Sequence, residues 1–406
     1  MTSVAAGTVV AKNYLPFARV LARSFAEHHP DVPFYVLLCD EVENCFDPSA
    51  EPFAFIPFAE LSMPHPEGFR FRYPIQHLSI AAKPHLFQHL FGLGYERVLF
   101  LDSDILITGA LTALLDPRDG SSVALTPHLL SPPQGKQRAE RELSIIRAGT
   151  FNAGCVNVSS DERGRAFIRW WEERLRYHTI HEVERGLHGD QRWLDLAPSF
   201  FGGVSVVRDP ACNVAYWNLP ERRISWHESQ LLVNGMPCRF FHFSGFNPGS
   251  PGILTRHVTT GDSGTPATLR LLDFYSSMLL AAGYEESRGW PYAWQSFDNG
   301  VSIPDIARTI YRDMGASVER FGDPFRADGV DSFFEWLRDD EAGEGPSGHR
   351  ISRIWDAVYR CRTDVQRAFP DHRGSGYTGF ARWTELSGAR EHGIPLEFRH
   401  EPPRMN

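Results

Sequence analysis

Two carboxylates interrupt an apolar run in the segment Arg97-Val98-Leu99-Phe100-Leu101-Asp102-Ser103-Asp104-Ile105-Leu106-Ile107. A run rich in valine, isoleucine, leucine and phenylalanine predicts a buried strand of a parallel sheet. Two carboxylates buried side by side are costly unless a positive charge holds them. Residues i and i+2 of an extended chain point to the same side, so we expect Asp102 and Asp104 to face one divalent cation together, with Ser103 facing away.

The same pattern has a simpler interpretation, in which one aspartate caps the following helix and the other pairs with an arginine. For an isolated Asp-x-Asp sequence that simpler interpretation is the more common one. The choice between the two therefore depends on what the rest of the chain supplies.

Length and composition indicate a globular protein with room for two or more domains, because the chain has 406 residues. Its hydrophobic content of 42% and charged content of 22% are ordinary for such proteins. The formal charge of -9 argues against a nucleic-acid binder or a strongly basic protein of membrane surfaces. No apolar run approaches the ~20 residues of a transmembrane helix, so none is expected.

Cysteine usage and the N-terminus bear on the compartment. The six cysteines are scattered and form no Cys-x-x-Cys pair, which favours reduced thiols in a cytoplasm over a disulfide framework or a zinc site. The first ten residues lack a basic segment before their short apolar stretch, so no signal peptide is expected. We expect a cytoplasmic protein. The alternative is a peripheral position at the inner membrane.

The N-terminal half alternates between strand and helix patterns. A strand over 8–10, a helix over 14–28 and a buried strand over 33–40 favour a right-handed crossover and a parallel sheet. Pro84 lies inside a helical pattern over 76–91 and predicts a kink or break near Lys83. Residues 131–141 are polar and hold Pro132, Pro133 and Gly135, which predicts a loop. The other strand predictions are 53–56, 122–125, 150–158, 204–207 and 239–243.

Composition changes after residue 247 to glycine, proline, serine and threonine, which indicates a boundary. The remainder shows helical spacing and predicts an α-rich region. The predicted division is an α/β domain over 1–250, a linker over 251–266, a helical domain over 267–370 and an irregular tail over 371–406.

Four fragments stand in order along the α/β half: Leu101-Asp102-Ser103-Asp104, Phe151-Asn152-Ala153-Gly154, Gly189-Asp190-Gln191 and Phe241-His242-Phe243-Ser244-Gly245-Phe246. Each fragment alone is weak, and the ordered set resembles glycosyltransferase family 8 and its bacterial relatives. The resemblance covers roughly the first ~250 residues, a usual domain size. It implies a GT-A-type, Rossmann-like, mostly parallel sheet flanked by helices, here with an α-rich C-terminal extension.

The resemblance implies that Asp102 and Asp104 hold a divalent metal against the diphosphate of a nucleotide sugar, with His242 completing the coordination. Ser103 and Gly245 are then part of the donor site. Two carboxylates with phosphate oxygens suit Mg²⁺ or Mn²⁺, and the imidazole favours Mn²⁺. The family also favours a UDP-sugar as donor. The alternative for His242 is a core histidine between two phenylalanines.

Further residues of this sequence match family positions. Asn152 and Gly154 resemble the floor under the sugar, where a glycine lets the backbone approach the ligand. Asp190 and Gln191 resemble the pair at the reacting face and are the catalytic candidates. The alternatives are a turn into a strand for the first pair and a helix N-cap for Asp190.

The donor site has other, weaker candidates. Lys83 resembles a basic residue that approaches the donor phosphates or the metal-binding carboxylates, and its alternative is a solvated lysine. Val10, Ala11 and Asn13, which follow the first strand, resemble the pocket of the nucleotide base, where backbone contacts dominate.

Two departures from the family stand out. The family usually continues the histidine motif with a lysine that grips the diphosphate, whereas this chain reads Gly245-Phe246-Asn247-Pro248-Gly249. Arg256, in the following loop, is the candidate substitute. The second departure is the aromatic-rich C-terminal region around Trp290-Pro291-Tyr292-Ala293-Trp294, which looks like a segment fused to bacterial sugar transferases; such aromatics are more often core than sugar platforms.

The sequence thus predicts a metal-dependent glycosyltransferase, hexosyltransferase-like and retaining by resemblance, that acts on a hydroxyl of a glycan, lipid-linked sugar or small molecule. One alternative is a nucleotidyltransferase for sugar phosphates, although the N-terminus offers only Gly7 and Lys12 in place of its Gly-rich phosphate loop. Another is a non-catalytic sugar-binding protein. A haloacid-dehalogenase phosphatase is disfavoured because Leu106 stands at the fifth position of its motif.

Overall fold

The structure, a computed structural model, describes residues 3–117, 119–257, 264–340 and 350–398. Residues 258–263 of the predicted linker and 399–406 of the predicted tail lie outside these ranges. The chain divides into two compact units. The first comprises Met1–Ser62 and Ser79–Tyr292, and the second comprises Met63–Leu78 and Ala293–Asn406.

The first unit is built on a seven-stranded sheet. Its strands are β1 Val4–Val10, β2 Phe34–Leu38, β3 Ala54–Pro57, β4 Arg97–Leu101, β6 Val123–Pro127, β7 Phe151–Ser159 and β10 Val204–Val206. The order across the sheet is β10-β6-β7-β4-β1-β2-β3, and β7 runs antiparallel to both its neighbours while all other pairs are parallel. The central strands read as apolar runs because both faces of the sheet are covered.

Residues 97–107 do not form one continuous strand, so the prediction of a single strand there is wrong. The chain leaves the sheet after Leu101 and turns at residues 102–104, where the Ile105 amide donates to the Asp102 carbonyl at 3.2 Å. It then forms the short strand β5, Ile105–Ile107, which pairs antiparallel with β14, Phe240–His242. This turn places His242 opposite Ile105 and beside the two aspartates.

Smaller strands complete the first unit. Two short strands, β8 His181–Glu182 and β9 Leu187–His188, pair with each other. A three-stranded sheet holds β11 Ile224–His227, β12 Gln230–Val233 and β13 Met236–Pro237. Neither of these sheets is marked by an apolar run or by a clear alternation in the sequence.

The first unit also contains most of the chain's longer helices. They are α1 Leu15–His28, α4 Lys83–Gly92, α5 Thr112–Leu115, α6 Arg138–Ala148, α7 Glu162–His178, α8 Gln191–Leu194, α9 Ala197–Phe200, α10 Pro266–Ala281 and α11 Tyr284–Ser287, and α3 Ile75–Ala81 ends in this unit. The predicted break at Lys83 is confirmed: α3 ends at Ala81 and α4 begins at Lys83, with Pro84 in the first turn, where its missing N–H costs nothing. Helix α6 starts inside the segment that was predicted as a loop.

The second unit is helical and has its own aromatic core. Its helices are α2 Pro66–Phe71, α12 Asp305–Asp313, α13 Phe333–Arg338, α14 Arg353–Cys361, α15 Thr363–Ala368, α16 Tyr377–Trp383 and α17 Ala389–Glu391. The rings of Phe71, Tyr311 and Phe333 pack at centroid distances of 4.9–5.4 Å. Trp294 is buried, as the core interpretation expected.

The fold class predicted from the sequence is confirmed: a mostly parallel sheet flanked by helices, with an α-rich C-terminal region. The division at residue 250 stays a prediction, although α10 and α11 belong to the first unit. The tail predicted as irregular contains α16 within its described part. Among the helices of the described ranges, none has the length and apolar character needed to cross a membrane.

Candidate active site

Three side chains meet beside the turn at residues 102–104. Asp102, Asp104 and His242 each offer one ligand atom, and these atoms lie within 4.8 Å of one another. The Nε2 atom of His242 is 3.0 Å from Asp104 Oδ1 and 3.9 Å from Asp102 Oδ2. The two predicted carboxylates therefore do converge, because a turn brings them together rather than the alternation of an extended strand.

Charge and burial act against each other in this cluster. Burial lowers the pKa of His242, but the Asp104 and Asp102 carboxylates together outweigh burial and raise it. Burial raises the pKa of Asp104, but His242, a backbone hydrogen bond and Lys83 together outweigh burial and lower it. The pKa of Asp102 is raised by burial despite the attraction of Lys83 and His242. Two half-buried acids and one buried imidazole form a donor set that suits a divalent cation.

Lys83 is buried and not solvated, which excludes its simple alternative. Its ammonium nitrogen is 3.0 Å from Asp102 Oδ1 and 2.8 Å from Asp190 Oδ2, and it donates to the Ala153 carbonyl at 3.2 Å. Burial lowers its pKa, but the two aspartates outweigh burial and raise it above the ordinary value for lysine. The buried ammonium thus lies between two carboxylates and a backbone carbonyl.

Gly154 forms a close floor under the cluster, on strand β7. A β-carbon at this position would lie 2.5 Å from His242 Cε1 and 2.7 Å from Asp102 Oδ2. Such contacts are far below van der Waals separation, so only glycine fits here. The backbone of Gly154 also holds the turn, because its carbonyl accepts from the Asp102 amide at 2.8 Å.

Asn152 lies two residues before Gly154 and points to the same side of β7. Its Oδ1 atom accepts from the Gly154 amide at 3.1 Å and from Asn213 Nδ2 at 3.1 Å. Its Nδ2 atom donates to Gln191 Oε1 at 3.4 Å. Asn152 is therefore a buried member of a network that extends from β7 to Gln191, the first residue of helix α8.

Asp190 occupies the N-cap position of α8, but its side chain does not cap the helix. It turns instead to Lys83, which joins it to Asp102 through one ammonium group. Gln191 donates to the Ala148 carbonyl at 2.8 Å. The structure thus brings both catalytic candidates close to the cluster, and the N-cap interpretation of the Asp190 side chain is wrong.

The candidates for the nucleotide base lie where β1 ends. Val10 and Ala11 are buried, and the Val10 carbonyl accepts from the Cys39 amide at 2.7 Å. Asn13 is half-buried, and its carbonyl accepts from Ser287 Oγ at 3.3 Å. These contacts fix the backbone of the segment, and its role in binding the nucleotide base stays a prediction.

Gly245 and Arg256 lie beyond His242. Gly245 has φ 73°, and its carbonyl accepts from the Arg256 amide at 3.0 Å. Burial raises the pKa of Tyr14, Asp104 raises it further and Arg256 lowers it. Arg256 is thus linked through its backbone to Gly245, three residues after His242.

Sequence reasoning missed Asn213 and Trp217. Asn213 Oδ1 lies 3.2 Å from His242 Nδ1, and the Trp217 ring meets the imidazole edge-to-face at 5.3 Å. No motif marks Asn213, because it reaches the cluster only through the pairing of Val214 with Phe241.

Comparisons with known proteins give distant relatives. No protein-family model matches the chain. It is 26% identical over 153 residues to the uncharacterized protein YfnF of Bacillus subtilis, which is 37% of this chain and 50% of that protein. It is 25% identical over 246 residues to YfnD of the same organism, 59% of this chain and 76% of that protein. The chain thus spans only half the length of YfnF.

Among solved structures, the chain is similar to the galactosyltransferase LgtC in complex with donor and acceptor sugar analogues. The identity is 18% and the TM-score 0.41, over 68% of this chain and 95% of that one. The glycosyltransferase GlyE of Streptococcus pneumoniae gives 17%, a TM-score of 0.41 and coverages of 73% and 67%. Both of these similar structures are glycosyltransferases.

Proposed function

We propose that the first unit is a metal-dependent glycosyltransferase that uses a nucleotide-diphosphate sugar. The observation that carries the proposal is the convergence of Asp102, Asp104 and His242 within 4.8 Å, next to a glycine floor. The cluster stands beside the carboxyl ends of parallel strands, where open α/β sheets bind their ligands.

The three residues fit a divalent cation. Their ligand atoms are close enough to share one ion, and the backbone of Gly154 leaves room that any other residue would fill. Asp102, Asp104 and His242 would hold Mn²⁺ or Mg²⁺. The imidazole ligand favours Mn²⁺, because Mg²⁺ prefers oxygen ligands. When bound, such an ion supplies charge neutralisation for a departing diphosphate.

In the proposed reaction, the bond between the sugar anomeric carbon and the diphosphate oxygen breaks. A bond from that carbon to the acceptor oxygen forms, and the acceptor hydroxyl proton passes to the departing diphosphate. Asp190 carries a negative charge that Lys83 holds in place, and we assign it to stabilise positive charge on the sugar. Gln191, through Asn152, orders this face of the site.

The donor-binding residues of the proposal are grouped by part of the donor. The diphosphate lies at Ser103 and Gly245, with Arg256 in place of the family lysine, and the sugar at Asn152 and Gly154. The nucleotide base lies against Val10, Ala11 and Asn13, and a UDP-sugar is the preferred donor. Lys83 neutralises the Asp102 and Asp190 carboxylates.

The proposed acceptor is a hydroxyl of a glycan, a lipid-linked sugar or a small molecule, and the proposed outcome is retention at the anomeric carbon. None of the six cysteines forms a disulfide, which supports the cytoplasm as the compartment. The alternative is a peripheral position at the inner membrane.

The test is a donor-hydrolysis screen of the purified chain over a panel of nucleotide sugars with Mn²⁺, Mg²⁺ or EDTA. Release of a nucleoside diphosphate that depends on metal supports the proposal. Formation of a nucleoside triphosphate on addition of pyrophosphate indicates a nucleotidyltransferase instead. Donor binding that is independent of metal, without turnover, indicates a sugar-binding protein. The absence of any metal-dependent binding or hydrolysis overturns the enzyme hypothesis.

A further inference from the structure

We infer that Asn213 is a positioning residue that fixes the tautomer of His242 and so aims its Nε2 lone pair at the metal site. The inference deepens the proposed function and rests on it. It follows from a series of hydrogen bonds that begins at the backbone N–H of Gly154, a group that can only donate.

The first link fixes the orientation of Asn152. The Gly154 N–H can only donate, and its partner at 3.1 Å is Asn152 Oδ1. The carboxamide oxygen of Asn152 therefore faces Gly154, and its nitrogen faces Gln191 at 3.4 Å.

The second link fixes the orientation of Asn213. One end of its carboxamide lies 3.1 Å from Asn152 Oδ1, which is an acceptor, so that end must be the nitrogen. The same nitrogen lies 3.2 Å from Thr126 Oγ1. The oxygen of the Asn213 carboxamide is then left to face His242.

The third link fixes the imidazole. Asn213 Oδ1 is 3.2 Å from His242 Nδ1 and is an acceptor, so Nδ1 carries the proton in the neutral ring. The unprotonated Nε2 then faces Asp104 Oδ1 at 3.0 Å and Asp102 Oδ2 at 3.9 Å. A metal-binding histidine commonly has its second nitrogen fixed in this way.

Asn213 is itself held firmly. It is fully buried and has φ 54°, a left-handed conformation that asparagine tolerates better than most residues. Its carbonyl accepts from Asn218 Nδ2 at 2.9 Å and from Arg222 Nη1 at 3.2 Å. An anchored backbone and a saturated carboxamide make this residue a rigid support.

The same chain restricts Asn152. Its Oδ1 atom already accepts from Gly154 and Asn213, so the side chain can offer a ligand only its N–H group.

The test compares variants that keep the backbone conformation. Asn213→Gly keeps the left-handed φ and removes the carboxamide, and Asn213→Asp keeps the acceptor for His242 but loses the donor to Asn152. Asn44→Gly, at an exposed position with φ 61°, controls for the glycine substitution itself. Binding of Mn²⁺ alone is measured by titration calorimetry, with folding checked by circular dichroism.

We expect Asn213→Gly to lose about 10–100-fold in Mn²⁺ affinity, the usual effect of removing the partner of a metal-binding histidine. Asn213→Asp and Asn44→Gly should keep affinity close to that of the wild type. A folded Asn213→Gly protein with wild-type affinity overturns the inference. If the wild-type chain binds no Mn²⁺, the proposed function fails.

A second measurement does not depend on the metal and is made in the Asp104→Ala protein, which lacks the carboxylate 3.0 Å from His242 Nε2 that would hold a proton there. With ¹⁵N-labelled histidine, at a pH above the titration of the ring, the His242 signals of this protein should show the Nδ1–H tautomer. His242→Gln in the same background identifies these signals by their loss. Asn213→Gly in the same background should shift the ring towards the Nε2–H tautomer that dominates in solution. An Nε2–H tautomer in the Asp104→Ala protein overturns the inference even if the wild type binds Mn²⁺.

Discussion

Lys83 Nζ lies 2.8 Å from Asp190 Oδ2 and 3.0 Å from Asp102 Oδ1, so one buried ammonium joins the metal-site acid to the catalytic candidate. We expect Lys83→Met to destabilise the fold by about 3–5 kcal/mol, because it leaves buried carboxylates without a partner. Urea unfolding of this variant and of Lys83→Met/Asp190→Asn tests this. The double variant should recover part of the loss, and equal losses in both would contradict a charge effect.

The same ammonium gives a pH dependence. The pKa of Lys83 is raised in the folded protein, so the pairing stabilises the fold fully below the ordinary lysine pKa of about 10.4. The stabilisation is lost only as pH rises above that value, towards the folded pKa. Between pH 7 and pH 9 we therefore expect the stability difference between wild type and Lys83→Met to stay constant, as measured by urea midpoints. A difference that disappears in that range would refute the pairing.

Asp104→Ala removes one ligand of the proposed metal, the carboxylate that lies 3.0 Å from His242 Nε2. We expect metal-dependent donor turnover to fall by at least about 100-fold, since losing a ligand should exceed the loss of its supporting partner. The circular dichroism spectrum should be unchanged. Full activity in this variant would show that the metal assignment is wrong.

Gly154→Ala tests the close floor. The added carbon would clash with both His242 and Asp102, so we expect Mn²⁺ binding to be lost and stability to fall by about 1–3 kcal/mol. Gly92→Ala is the matched control: Gly92 ends α4 and has nothing within 4 Å of the added carbon. That variant should be neutral or more stable by about 0.5–1 kcal/mol. Calorimetric Mn²⁺ titration and thermal unfolding of both proteins decide, and unimpaired Mn²⁺ binding by Gly154→Ala would contradict the packing.

Asp190→Asn separates catalysis from metal binding. We expect kcat to fall by about 100-fold or more, as for groups that act on the reacting centre. Asp190 is not a ligand of the cluster, so the Mn²⁺ affinity should change little. Initial rates and calorimetry on the same preparation measure both quantities. A loss of Mn²⁺ affinity without a loss of kcat would reassign Asp190 to the metal site.

Periodicity predicted the sheet and most helices because those elements bury an apolar face. The strand over 33–40 and the helix over 14–28 are examples, found at Phe34–Leu38 and Leu15–His28. Helix α6 was missed for the converse reason: none of its residues is buried, so no apolar stripe marks it. The turn at 102–104 is not predictable from this pattern, because apolar residues precede it and follow it as they would in one continuous strand.

The candidate site was predictable only where a side chain has a distinctive type. Asp102, Asp104 and His242 have that distinction, and the structure brings them together. Asn213 has none, since its role comes from a strand pairing between distant segments. The partners of Lys83 were likewise hidden, because Asp190 follows it by more than a hundred residues.

The pairing of β5 with β14 has a consequence for biosynthesis. His242 joins the aspartates only when Phe240–His242 pairs with Ile105–Ile107, across more than a hundred residues of intervening chain. A nascent chain on the ribosome therefore carries both carboxylates well before it can offer the imidazole. A polypeptide arrested before β14 would have all seven strands of the main sheet but no complete ligand set.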